Sequence, residues 1–114
     1  MNPVQVAIEI ETSGPLLAFD LLGGPKTLSV GAKASLPGGA VLRLHEMREH
    51  RAADFPTLLQ LGLSFGTGAA ASLAASWLYD KLKGRARALR IERMEVQIEE
   101  GQIRKVLVER IEAK

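Results

Sequence analysis

The stretches of this 114-residue chain that could do chemistry are few, and each falls short of a complete site. His45-Glu46-Met47-Arg48-Glu49-His50 comes close to the zinc-protease pattern H-E-x-x-H. That pattern needs its two imidazoles at i and i+4, one above the other on a helix. Here the second imidazole comes one residue late. His45 and Glu49 could still share a face, which gives two ligands at most. The segment reads as solvated charge, and no metal is expected. With no cysteine and no serine that can be matched to a positioned histidine and acid, the supply of nucleophiles is thin. No catalytic residue and no cofactor are assigned, and the chain is expected not to be an enzyme.

Gly66-Thr67-Gly68-Ala69-Ala70-Ala71 matches G-x-G-x-x-A, the turn that lets a pyrophosphate approach a helix N-terminus. Before it, Leu59, Leu61, Leu63 and Phe65 alternate with Gln60, Gly62 and Ser64 like a strand. After it come a helical pattern and a short apolar run ending at Glu92, which would hold a ribose. Too few residues remain to supply further strand–helix units, and the preceding half reads as antiparallel. Nucleotide binding is therefore the lesser alternative. The run from Lys81 to Arg93 concentrates basic residues that could meet phosphates, but it lacks interleaved aromatics for base stacking. A helix end followed by a strand edge explains it as well, and nucleic acid is not expected as a partner.

The elements that must carry these residues follow from patterning. Composition is ordinarily globular: 46% hydrophobic, 25% charged, with only 4% aromatic, so the core is built from aliphatic side chains. The net charge of +2 is uneven, residues 80–114 holding ten basic and seven acidic side chains. The N-terminus lacks a basic, then apolar, secretory pattern. This and the absence of cysteine lead us to expect a cytoplasmic protein, folded as one domain over residues 1–114. Val4, Val6, Ile8 and Ile10 alternate with polar residues and predict a strand with one wet face. Leu16 to Leu22 could be a second strand or one helical turn. Leu36-Pro37-Gly38-Gly39 is a tight-turn signal between strands at about 27–35 and 40–47. Strands are expected again within 88–98. Ile103, Val106, Leu107 and Ile111 then fall on one face of a terminal helix over about 100–112, with Glu99 and Glu100 at its N-terminus.

The dominant feature is Phe55 to Tyr79, which contains no charged residue. It reads as part of one long Gly/Ala-rich helix over about 56–83, with Asp54 or Thr57 as cap, Pro56 in its first turn and Gly84 just past its end. Gly62, Gly66, Ala70 and Ala74 would form a flat row for close packing, flanked by leucines and Trp77. The overall expectation is α+β: an antiparallel β-rich half, the long helix, a β-hairpin and an amphipathic C-terminal helix. The leading functional reading is a non-enzymatic protein-interaction module, binding a protein partner or self-associating through the small-residue row. The alternative is a membrane-associated protein that spans with residues 55–79, since that run exceeds the roughly 20 residues a bilayer needs and Gly-xxx-Gly packs transmembrane helices.

Overall fold

A computed structural model describes residues 3–13, 16–22, 31–48 and 57–112. The fold is α+β: a six-stranded antiparallel sheet in the order β2-β3-β4-β1-β5-β6, with helices on one face. β1 (Val4–Thr12) forms because its side chains alternate, and it takes a central place between β4 (Thr57–Phe65) and β5 (Ala86–Ile91). The β1/β4 register sets apolar against apolar throughout: Val4 faces Phe65, Val6 faces Leu63, Ile8 faces Leu61 and Ile10 faces Leu59. All eight of these side chains are buried. Thr12 and Thr57 close the row, and the Thr12 hydroxyl donates to the Arg85 carbonyl at 2.9 Å.

β3 (Val41–Arg48) pairs with β4 on the other side, and the short β2 (Lys33–Ser35) forms one edge. The turn expected at Leu36-Pro37-Gly38-Gly39 is present. Pro37–Gly39 make one 3-10 turn, Leu36 N–H donates to the Ala40 carbonyl at 2.8 Å, and Gly38 and Gly39 take φ of 84° and 87°. Only glycine adopts those angles without strain. Of the strand expected over 27–35, residues 27–30 lie outside the described residues, and β2 begins at Lys33. At the other edge β6 (Met94–Val96) pairs with the last three residues of β5.

The long helix expected over 56–83 is a strand and a shorter helix. Residues 57–65 are β4, and α2 runs Gly68–Leu82. As a helix, Leu59, Leu61, Leu63 and Phe65 would be scattered around the axis, with Gly62 and Gly66 adding about 1 kcal/mol each of cost. As a strand, the same four side chains align on one face against β1. Pro56 and Asp54 lie outside the described residues, and Thr57 starts β4 rather than capping a helix. The true cap is Thr67, whose hydroxyl accepts from Ala70 N–H at 3.0 Å. The other end is as expected: Lys83 N–H bonds the Tyr79 carbonyl at 2.9 Å, and Gly84 follows with φ of 71°.

α2, α3 (Glu100–Glu112) and the short α1 (Leu16–Leu21) cover the apolar face of the sheet. α2 presents Ala70, Ala71, Ala74, Ala75, Leu78 and Leu82 to the core, and α3 adds Ile103 and Leu107. Alanine brings the helix backbone close to its neighbours while keeping good helix propensity. No helix among the described residues is long and apolar enough to cross a membrane.

Candidate functional site

The strand residues that alternate with the core point to the other side of the sheet. No described element covers that face. Its centre is assembled by cross-strand register: Arg43 on β3 faces Gly62 on β4, Gly62 faces Ala7 on β1, and the Ala7 carbonyl accepts from Glu92 N–H at 2.9 Å in the β5–β6 turn. Gly62 and Ala7 are the smallest side chains available, so this row has a low floor. A groove of about 330 Å³ opens beside Ala7, lined by Ala7, Ile8, Glu9, His45, Gln60, Leu61, Arg90 and Arg93. A second hollow of about 140 Å³ adjoins it, lined by Gln5, Val41, Arg43, His45, Gly62 and Ser64.

His45 is the wall common to both hollows, and two local features place it. A register shift between Leu44 and Glu46 makes a β-bulge of His45, which re-aims its side chain. Gly62 then gives the imidazole room: a Cβ built there would collide with His45 Nε2. Glycine inside a strand weakens it and marks a close approach, which this contact is.

The charges near the groove fall into two groups. Arg90 on β5 donates to Glu9 at 2.8 Å and to Glu11 at 2.9 Å, tying β5 to β1 across the open face. The hydrogen bond to Glu11 and that carboxylate's charge hold the Arg90 guanidinium above its ordinary pKa, against some desolvation, so it stays cationic wherever the protein is folded. Arg48 pairs with Glu46 at 3.2 Å. Arg43, His45, Gln60, Ser64 and Arg93, by contrast, have no side-chain hydrogen bond or ion pair among the described residues. Arg93 is also held in an unusual backbone conformation. Glu92 and Arg93 have φ of 53° and 69°, the left-handed region that two-residue hairpin turns reserve for Asn and Gly. Glu92 answers with an ion pair to Arg110 at 3.5 Å, whereas Arg93 lines the groove.

The residues expected to form one packing row are divided by the sheet. Gly62 is on β4 beneath His45, on the open face. Gly66 lies in the β4–α2 connection, with nothing within 4 Å of a built Cβ. Ala70 and Ala74 are buried on α2, 4% and 0% exposed, on the helix side. Trp77 is half-buried on α2, with the Lys81 ammonium 5.7 Å from its ring centroid. The row fails because Gly62 belongs to a strand of period 2, whereas Ala70 and Ala74 follow the helical period. Arg43, His45 and Arg93 were not singled out together because only the pairing of distant strands brings them to the same face of the sheet. The signals in the sequence were a lone Gly inside an alternating strand and a charged Glu-Arg pair where a hairpin must turn.

The other chemical candidates separate as well. β4 and β5 both run antiparallel to β1, so they are parallel to one another but not adjacent. A dinucleotide unit needs its Gly-rich turn and its ribose acid at neighbouring strand ends. Here β1 intervenes and Glu92 is engaged by Arg110. His45 and Glu46 are on a strand, Glu49 and His50 lie outside the described residues, and no three potential ligands gather among those described. The basic run is dispersed: Lys81 and Lys83 sit by Trp77 and Tyr79, Arg85 pairs with Asp20 at 2.7 Å, and Arg90 is on the open face. Compared with protein-family models, curated proteins and solved structures, the chain matches none.

Proposed function

We propose that this chain is a non-enzymatic protein-interaction module that receives its partner on the open face of the sheet. The observation that carries the proposal is the row from Arg43 to Arg93. It combines a low floor, a bulged histidine and polar side chains that have no partner within the described chain. Side chains that only solubilise a sheet need neither a bulge nor a strained turn to place them. The helix side is a weaker candidate, because the small residues that would admit another backbone are already enclosed by the chain's own core.

Partner capture by tagged protein tests the proposal. Arg43→Glu, on the open face, is expected to lose the partner that the wild type retains. Lys105→Glu, on the exposed side of α3, is expected to keep it. The reverse pattern would move the interface to the helices and overturn the proposal.

One observation favours self-association as a second reading. Leu73, 47% exposed on α2, stands one turn from the half-buried Trp77 and leaves an apolar strip on that helix. Sedimentation of wild type and Leu73→Asp across a concentration series tests it. A wild-type dimer that becomes monomeric in the variant supports this reading, and a monomer in both removes it.

A further inference from the structure

We infer that the row Arg43–Gly62–Ala7–Arg93 is a channel for an acidic, extended segment of a protein partner. The inference rests on the open-face reading above and supplies the chemistry of the partner. Three observations point to it.

The first is charge complementarity. Arg43, His45 and Arg93 offer hydrogen-bond donors with no acceptor among the described residues. Glu9 also lines the channel, but its carboxylate is occupied by Arg90, which Glu11 shares. The smaller hollow beside His45 contains no acid at all. A guanidinium takes a carboxylate in bidentate fashion, and both arginines are exposed enough to turn toward one.

The second is spacing. β3, β4, β1 and β5 are consecutive in the sheet, so Arg43 and the Arg93 turn stand three strand spacings apart, about 14 Å. In an extended peptide, side chains at i and i+4 lie on the same face about 13 Å apart. Two acidic residues four apart would reach both arginines, with the intervening backbone over Gly62 and Ala7, where side chains are smallest.

The third is strain. Arg93 occupies the left-handed region at a turn position where glycine costs nothing. Strained residues persist where their side chains are needed. Here the strained side chain ends in the groove.

The channel does not suit nucleic acid. Among the described residues the open face carries no Phe, Tyr or Trp for stacking, His45 being its one aromatic ring, and the paired carboxylates of Glu9 and Glu11 border it.

Nuclear magnetic resonance titration of the whole chain provides the test. The probes are a Ser/Gly peptide with two Glu residues four apart, the same peptide with Gln at both positions, inorganic phosphate and a short single-stranded oligonucleotide. The Glu peptide is expected to shift the amides of Ala7, Arg43, Gly62 and Arg93 saturably, and the Gln peptide is not. Arg43→Gln and Arg93→Gln are each expected to weaken the Glu peptide about tenfold, and the double variant more. Arg104→Gln, exposed on α3, is expected to leave it unchanged. Each variant's own spectrum, compared with that of the wild type, also reports whether it is folded. Equal shifts with the Gln peptide, or no saturation, would overturn the inference. So would phosphate matching the peptide, which marks a simple oxyanion site, or the oligonucleotide binding more tightly. If the peptide fails while Arg43→Glu still loses a captured partner, the open-face reading survives with a different occupant; if both fail, both are lost.

Discussion

The two faces of this sheet are made from the same strands but obey different rules. On the helix side, β1 and β4 contribute aliphatic side chains at every second position, α2 contributes alanines, and almost every group there is fully enclosed. On the open side, the intervening positions of the same strands hold Ala7, Glu9, Gln60, Gly62 and Ser64, with Arg43 and His45 from β3. The first face is selected for packing, where a methylene either fits or does not. The second combines small floor residues, a bulge and a strained turn, features that add nothing to a core. Stability and the proposed recognition are thus separated by one residue along each strand.

That separation is easiest to break at neighbouring residues. Leu61 is buried and Gln60 beside it points to the open face. Leu61→Ala is expected to cost about 2–5 kcal/mol through the lost apolar contacts and the cavity left behind. Gln60→Ala should stay within about 0.5 kcal/mol. Urea unfolding of the two variants measures both, and similar losses would deny that the faces differ.

A second contrast lies among the small residues Gly66 and Ala74. Ala74→Leu has no space to enter and is expected to destabilise by about 1–3 kcal/mol. Gly66→Leu meets open space and is expected to change stability much less. Equal effects would restore the idea of one continuous packing surface. Thr67→Ala should remove the α2 cap at a cost of about 1 kcal/mol, read as a lower midpoint with an unchanged urea slope.

The last expected change has the opposite sign. Arg93→Gly relieves a left-handed non-glycine residue and should stabilise by about 1 kcal/mol, although glycine's greater freedom in the unfolded chain offsets part of the gain. The same variant should bind the Glu peptide more weakly. A protein both more stable and poorer at binding would show that Arg93 serves the open face. A gain in stability with unchanged binding would leave its strain without a function.

Much of this was legible from local pattern. The alternation of Val4 to Ile10 was strong enough to define β1, the Pro37-Gly38-Gly39 turn declared its hairpin, and the i, i+3, i+4, i+8 spacing from Ile103 set α3. Gly84 marked the end of α2 because a helix that stops there needs a positive φ. The start of α2 was not legible with the same certainty. Leu59 to Phe65 fits a strand, but an uncharged run leading into alanines also fits a helix. The choice belongs to the partner strand: Val4, Val6, Ile8 and Ile10 supply an apolar face that only an extended β4 can match in register.

The sequence by itself therefore determined the class of the fold, most of its elements and which side chains had to be enclosed, because hydrophobic period and turn chemistry are local properties. Only the tertiary structure decided that Gly62 and Ala74 lie on opposite sides of the sheet, and that His45 stands between a hollow lined by Arg43 and a groove lined by Arg93. Those residues are far apart along the chain, and it is hydrogen-bond register between strands, a long-range property, that places them together.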